Sequence, residues 1–216
     1  MNFEYRHKLP SKPSGEKAPL LLLLHGFGAD ENDLFGLASF LDERFFVASA
    51  RAPYSLPYGG FAWFELYIQP GRVDMNIDQF KESLGQLEEF IGQIVEKHDL
   101  DAQRIYLCGF SQGSIMSLTA ALSDPGRFAG LVCMSGRSSP EMLPAENDPE
   151  KLKDFPVLVT HGVYDQVLPV ENGRATNEFL SKLPVDLEYK EYPIAHEISQ
   201  QSLTDVTKWL TQRLDN

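Results

Sequence analysis

Apolar runs alternate with segments of helical periodicity along most of this chain. The apolar runs predict an edge strand near residues 3–9, followed by strands at 20–25, 45–50, 104–109, 129–134, 156–161 and 186–192. The clearest helix is predicted over 77–97, where apolar residues recur every three or four positions and Asn76 can cap the first turn. This alternation predicts an α/β protein with a mostly parallel central sheet. The uninterrupted apolar strands indicate that helices cover both faces of that sheet.

One stretch, 51–76, lacks helical periodicity and is rich in aromatic residues. Long irregular segments in compact domains are usually functional or disordered, and disordered ones rarely carry so many aromatics. We therefore predict a lid or the wall of a binding pocket here, with Trp63, Phe64 and Ile68 lining an apolar slot. The alternative is that these side chains only anchor the segment onto the sheet.

The motif Gly109-Phe110-Ser111-Gln112-Gly113 stands where an apolar run gives way to a helical pattern. Strand, sharp turn and helix form the setting that a G-x-S-x-G nucleophile elbow requires. The tight turn leaves no room for side chains beside the serine, so glycine at both ends is a steric demand. Ser111 is therefore the candidate nucleophile.

A serine hydroxyl needs a base and an orienting carboxylate to become a good nucleophile at neutral pH. Asp165 follows the predicted strand at 156–161, and His196 follows the one at 186–192. The order Ser, acid, His is the one used by α/β-hydrolases, and each spacing allows a crossover helix and another strand. Val167 and Leu168, two and three residues after the acid, are predicted to contact the substrate.

A tetrahedral intermediate also needs hydrogen-bond donors for its negatively charged oxygen. The expected donors are the amide after the nucleophile, here Gln112, and an amide in the loop after an early strand. The five leucines at 20–24 lead into His25-Gly26-Phe27-Gly28, so we expect the Phe27 amide to be the second donor. The glycines let this backbone turn and approach the nucleophile closely.

The remaining histidines and the cysteines are more typical of structural residues. His7, His25, His98 and His161 form no H-x-x-x-H or H-x-H pair, so a metal site is not expected. Cys108 and Cys133 lie in apolar strand-like runs without flanking elbow glycines, so we expect two reduced core residues rather than a catalytic thiol or a disulfide. No cofactor is required for the predicted chemistry.

Four segments together resemble the phospholipase/carboxylesterase family of small α/β-hydrolases, which includes bacterial carboxylesterases and acyl-protein thioesterases. In chain order, these segments are residues 25–30, 109–113, 161–169 and 195–197. The resemblance implies a serine esterase with nucleophile Ser111, acid Asp165, base His196 and an oxyanion hole from Phe27 and Gln112. It also suggests a homodimer.

The chain departs from the family pattern at three positions. The family commonly has Leu, Gly and Gly where this chain has Phe27, Ser114 and Ala195. The acyl pocket is the one that the segment 51–76 is predicted to cover as a lid or to line as a wall. Phe27 is expected to narrow this pocket, whereas the other two departures leave the predicted catalytic set unchanged. The departures therefore bear on substrate preference more than on chemistry.

Length and charge set the remaining expectations. The 216 residues contain no linker-like or repeated tract, so we expect a single α/β-hydrolase domain over 1–216. The net charge of −12 argues against nucleic acid and anionic membranes as partners. The N-terminus lacks a hydrophobic signal core and no run suits a membrane anchor, so a cytoplasmic protein is expected.

The predicted function is hydrolysis of short- to medium-chain esters or thioesters, with a small-molecule or lipid ester, or an acylated protein, as substrate. Two alternatives remain open, because a fold does not fix its substrate. One is another α/β-hydrolase activity, such as a lysophospholipase, lactonase or peptidase. The other is a protein that binds an acyl group or a lipid without catalysis.

Overall fold

A computed structural model describes residues 3–12, 15–69, 72–138 and 149–215, with the backbone alone at 68, 69, 72 and 73. The strands are β1 (Tyr5–Lys8), β2 (Pro19–Leu24), β3 (Phe46–Ala50), β4 (Tyr54–Ser55), β5 (Phe61–Ala62), β6 (Leu66–Gln69), β7 (Arg72–Met75), β8 (Asp101–Phe110), β9 (Gly130–Met134), β10 (Pro156–Gly162) and β11 (Asp186–Tyr192). The α-helices are α1 (Ile77–Lys97), α2 (Gln112–Ser123), α3 (Pro149–Leu152), α4 (Val170–Leu180) and α5 (Gln200–Leu214). In these ranges no helix is long and apolar enough to cross a membrane.

The described strands form a central seven-stranded sheet in the order β1-β3-β2-β8-β9-β10-β11. All neighbouring pairs are parallel except β1 with β3, which is antiparallel at the edge. The predicted α/β class with a mostly parallel central sheet is therefore confirmed. Each predicted strand of this sheet is present within a few residues of its predicted bounds, with β8 beginning earlier than expected.

The leucine run of β2 is apolar throughout because both faces of this central strand are covered. Leu20, Leu22 and Leu24 face one core, which includes residues of α1 and α2. Leu21 and Leu23 face the opposite core, which includes residues of α5. Because successive strand residues point to opposite faces, a strand covered on both sides has no polar position.

Helix α1 follows its predicted bounds. The Asn76 side-chain Oδ1 accepts a hydrogen bond from the Gln79 amide at 3.2 Å, so it caps the helix as the sequence predicts. Phe80, Leu87 and Ile91 from its apolar face are buried. This helix covers the sheet on the side of the first core.

The prediction that 51–76 is irregular is wrong. In the part of this segment that the structure describes, β4 pairs with β5 and β6 pairs with β7, both antiparallel. The strands are only two to four residues long, so they leave little periodicity in the sequence. A further bridge joins Phe61 to Ala29, in the loop after β2.

The carboxyl ends of the parallel strands bring the predicted site residues to one edge of the sheet. Ser111 directly follows β8, Asp165 lies three residues after β10, and His196 lies four residues after β11. In α/β sheets this edge is where ligands bind. The loop after β2 leaves from the same edge, because β2 runs parallel to β8.

Candidate active site

The nucleophile elbow is a strained turn between β8 and α2. Ser111 has φ 53° and ψ −116°, a conformation that L-residues rarely adopt. A side chain at Gly109 would overlap the Gly113 carbonyl, and one at Gly113 would overlap the carbonyl of Leu24. Both glycines are therefore required so that helix, turn and neighbouring strand can approach each other. Backbone strain of this kind often occurs where a reactive side chain must be presented.

The structure brings the three predicted triad residues into one hydrogen-bonded chain. The His196 Nε2 atom lies 2.9 Å from Ser111 Oγ, and its Nδ1 atom lies 2.7 Å from Asp165 Oδ2. A carboxylate only accepts hydrogen bonds, so Nδ1 carries the proton and Nε2 is free to accept one from the serine hydroxyl. The Phe110 ring lies against the imidazole, with a centroid distance of 4.8 Å.

Asp165 is held by its own loop. Its Oδ1 atom accepts hydrogen bonds from the Val167 amide at 2.9 Å and the Leu168 amide at 2.8 Å. The carboxylate is buried, and its other oxygen faces His196. Two amide donors and an imidazole N–H thus compensate the charge that burial removes from water.

The loop after β2 places the Phe27 backbone beside the elbow. A side chain at Gly26 would contact Ser111 Cβ at 3.3 Å, so this glycine allows the close approach. Within the described residues, the amides of Phe27 and Gln112 have no hydrogen-bond acceptor, whereas the Gly28 amide bonds to the Phe61 carbonyl. Two unengaged donors next to the nucleophile are the arrangement an oxyanion hole requires.

His25 fixes the orientation of the peptide between Gly26 and Phe27. Its Nδ1 atom lies 2.8 Å from the Gly26 carbonyl, and its Nε2 atom accepts from the Ala52 amide at 3.1 Å. The imidazole is therefore neutral, and burial lowers its pKa accordingly. In a trans peptide, the N–H points away from the C=O. The Gly26 carbonyl turned toward His25 thus leaves the Phe27 N–H pointing to the other side.

Trp63 and Phe64 do not line an open slot, so the predicted wall is wrong for these two residues. Their side chains are 0% and 1% exposed and lie in the core. The Trp63 indole donates to the His25 carbonyl at 3.0 Å, and the Phe64 ring packs edge-on against Phe80. Large aromatic side chains anchor a segment by their burial, so Trp63 and Phe64 hold this segment onto the core, as the alternative interpretation predicts.

The Gln112 side chain links this segment to the elbow, a role that the sequence did not indicate. Its Oε1 atom accepts from the Trp63 amide at 2.8 Å, and its Nε2 atom donates to the Phe64 carbonyl at 2.7 Å. All of these groups are buried. The residue after the nucleophile therefore presents its amide to the site and its side chain to the core behind it.

The other predicted substrate contacts are exposed, partly buried or outside the described side chains. Val167 is 66% exposed and Leu168 is partly buried, and they lie two and three residues after Asp165. Phe27 is 43% exposed. Ile68 lies in β6, and its side chain is outside the described residues.

Neither the remaining histidines nor the cysteines form a second reactive site. In the described ranges, no group of three or more His, Cys, Asp or Glu residues could hold a metal ion. His7 stacks on Phe46 and His98 lies 2.9 Å from the Tyr5 hydroxyl, both at the sheet edge. Burial raises the pKa of Cys108 and of Cys133 to about 12, so both thiols are poor nucleophiles.

Comparison with known proteins agrees with this geometry. Residues 10–214 match the family model described as Phospholipase/Carboxylesterase. The chain is 30% identical to a probable carboxylesterase SOBER1-like of Arabidopsis thaliana, covering 91% of this chain and 79% of that protein. It is also 30% identical to acyl-protein thioesterase 1 of Kluyveromyces lactis, covering 90% and 92%.

A solved structure gives the same result for the fold. The crystal structure of esterase PE8 superimposes with a TM-score of 0.80 at 26% identity, covering 98% of this chain and 99% of that chain. The match extends over the whole central sheet and the segments that carry the site. This protein is a serine hydrolase that belongs to the phospholipase/carboxylesterase family of α/β-hydrolases.

Proposed function

We propose that this protein hydrolyses short- to medium-chain carboxylic esters or thioesters through Ser111, His196 and Asp165. The single observation that carries the proposal is the position of the His196 imidazole, 2.9 Å from Ser111 Oγ and 2.7 Å from Asp165 Oδ2. Relatives named carboxylesterase and acyl-protein thioesterase support both ester and thioester substrates.

In the first half of the reaction, His196 Nε2 takes the proton of Ser111 as the serine Oγ bonds to the carbonyl carbon of the substrate. The carbonyl oxygen becomes an oxyanion that accepts hydrogen bonds from the amides of Phe27 and Gln112. Asp165 stabilises the imidazolium and keeps the ring in the required tautomer. The intermediate then expels the alcohol or thiol, which takes its proton from His196, and leaves an acyl-enzyme.

The second half repeats these steps with water. His196 removes a proton from water, whose oxygen bonds to the acyl carbon and forms a second oxyanion. Collapse of this intermediate breaks the bond to Ser111 Oγ and releases the carboxylic acid, while His196 returns the proton to the serine. No redox step occurs, so these side chains and water suffice for the chemistry.

We further propose that Val167 and Leu168 contact the acyl group of the substrate. They lie two and three residues after Asp165, and Val167 is among the exposed large apolar residues of the described chain. Phe27, half-exposed beside Gly26, is proposed as the opposite contact, because a side chain added at its neighbour Gly26 would contact Ser111 Cβ at 3.3 Å. Apolar side chains at these positions favour an acyl chain over a charged group.

We also propose that the enzyme acts in the cytoplasm. Cys108 and Cys133 are free and buried, as is usual for proteins in a reducing compartment. The net charge of −12 disfavours binding to anionic membranes, so an ester in solution is the favoured substrate. Cell fractionation would test the location directly.

The experiment that tests the activity compares wild type with Ser111→Ala on p-nitrophenyl butyrate and on the matching thioester. Turnover should fall about 10⁴-fold or more, because the nucleophile is lost. Ser117→Ala is the matched control, since Ser117 is a buried serine in α2, the helix that follows Ser111. Near wild-type turnover of Ser111→Ala would contradict the assignment.

A fluorophosphonate probe separates catalysis from acyl binding without turnover. Covalent labelling of wild type and of Ser117→Ala, but not of Ser111→Ala, is expected. An unlabelled wild-type protein that still binds butyrate would instead identify an acyl-binding protein. A panel of esters of increasing chain length, thioesters and aryl amides then defines the substrate class.

A further inference from the structure

A second histidine, His161, lies against the acid of the triad. It is near the end of β10, and its side chain is fully buried. Its Nε2 atom lies 2.7 Å from the Leu168 carbonyl and 3.5 Å from Asp165 Oδ2. A carbonyl oxygen can only accept, so the single proton of a neutral ring sits on Nε2 and points to Leu168.

The opposite side of this ring has no polar partner. Within the described residues, His161 Nδ1 is buried without a hydrogen bond. The helix that covers it presents Gly173, where a side chain would meet Nδ1 at 2.6 Å. A buried acceptor without a donor lowers stability, so the packing alone gives no reason for a histidine at this position.

The bond from His161 completes the loop that holds the acid. Leu168 donates its amide to Asp165 Oδ1 at 2.8 Å, while its carbonyl accepts from the His161 ring. Val167 donates to the same carboxylate oxygen at 2.9 Å. The His161 imidazole thus holds Leu168, whose amide in turn holds Asp165. The same imidazole also lies against Asp165 Oδ2, the oxygen that faces His196.

We propose that His161 is a positioning residue for the reaction, acting through Leu168 to hold the Asp165 carboxylate in line with His196. This proposal rests on the proposed function. The proposal also explains why Nδ1 has no hydrogen-bond partner. When Nε2 bonds to the Leu168 carbonyl beside the carboxylate, Nδ1 faces Gly173, which offers it no donor. Displacement of a catalytic group by about 1 Å can lower turnover on the order of 10²-fold.

The test compares His161→Leu with His161→Gln, because the glutamine amide can still donate to the Leu168 carbonyl. We expect kcat of His161→Leu to fall about 10- to 100-fold with KM within about twofold, and His161→Gln to recover most of kcat. Val159→Ala is the matched control, since Val159 is buried two residues earlier on the same face of β10. It should lower the melting temperature and leave kcat unchanged.

A second readout reports on the acid directly. The proton shared by His196 Nδ1 and Asp165 should give a strongly downfield proton signal in the NMR spectrum, assigned by its loss in His196→Ala. We expect this signal to be lost or broadened in His161→Leu and kept in His161→Gln and Val159→Ala. If His161→Leu does not fold, His161→Asn replaces it, because its shorter amide does not reach Leu168.

Unchanged kcat and an unchanged downfield signal in His161→Leu would overturn the proposal. So would a His161→Gln variant that is as impaired as His161→Leu, because the donor would then not matter. An inactive wild-type enzyme would contradict the proposed function instead, and the NMR comparison would still decide whether His161 holds Asp165.

Discussion

The Gln112 side chain bridges two backbone groups of an otherwise distant segment, accepting from the Trp63 amide at 2.8 Å and donating to the Phe64 carbonyl at 2.7 Å. Its own backbone begins α2 directly after the nucleophile. The elbow and the 51–76 segment are therefore one unit. Because Trp63 in turn donates to the His25 carbonyl, the same unit reaches the loop that carries Phe27.

Replacing Gln112 by alanine should destabilise the fold more than it damages the chemistry. The buried Trp63 amide and Phe64 carbonyl would lose their hydrogen-bond partners, and each loss should lower the free energy of unfolding by about 1–3 kcal/mol. The amide of residue 112 would remain, so turnover should fall far less than in Ser111→Ala. Urea denaturation measures the stability, and Gln86→Ala on the exposed face of α1 is the control. A fully stable Gln112→Ala would show that the bridge contributes nothing.

His25→Phe should lower turnover by impairing the oxyanion hole. The change keeps an aromatic ring but leaves the Gly26 carbonyl and the Ala52 amide unpaired, so the Phe27 amide loses its fixed direction. Loss of one oxyanion donor lowers kcat about 10²- to 10³-fold. We expect an effect of that order, with KM little changed.

The control for this variant removes a buried hydrogen bond away from the site. Tyr106→Phe deletes the bond from the hydroxyl to the Arg213 carbonyl, and it should lower stability without changing kcat. A trifluoromethyl ketone, which forms an oxyanion on reaction with serine, should inhibit His25→Phe more weakly than wild type. Equal inhibition of both proteins would contradict the prediction that His25 orients the Phe27 amide.

The strain at Ser111 predicts an order of stability between two inactive variants. Its positive φ costs a non-glycine residue on the order of 1–3 kcal/mol, and glycine avoids this cost. Glycine loses about 0.5–1 kcal/mol more backbone entropy on folding than alanine, which offsets part of the gain. Ser111→Gly should therefore be about 1 kcal/mol more stable than Ser111→Ala in chemical denaturation. A higher stability of Ser111→Ala than of Ser111→Gly would indicate that the backbone at residue 111 is not strained.

The protein should lose stability as the pH falls from 7 to 5. Burial lowers the pKa of His98, with further contributions from His7 and Lys97, and burial also lowers the pKa of His25. As pH drops below about 6.5, the unfolded chain therefore binds protons before the folded protein does, and the free energy of unfolding decreases.

His98→Gln isolates one part of this dependence. The glutamine amide does not titrate and can still bond to the Tyr5 hydroxyl, so the loss of stability between pH 7 and pH 5 should become smaller. Denaturant titrations of both proteins at the two pH values measure the difference. An identical pH dependence in wild type and His98→Gln would contradict the contribution of His98.

The sequence alone determined the sheet, the first helix and the order of the triad. Strand β2 was readable because both of its faces are covered, which demands an uninterrupted apolar run such as Leu20 to Leu24. The elbow was readable because glycines at 109 and 113 answer a local steric demand. An apolar strand run and the glycines of a tight turn are requirements of the local chain, and they can therefore be recognised from the sequence.

Only the tertiary structure decided what the aromatic segment and the accessory polar residues do. Trp63 looks the same in the sequence whether it lines a slot or anchors a loop, and its burial depends on Gln112 and His25 far away in the chain. The bonds of His161 likewise depend on how the loop after β10 folds back over it. Such roles arise from contacts that only folding creates, because each partner alone is compatible with many environments.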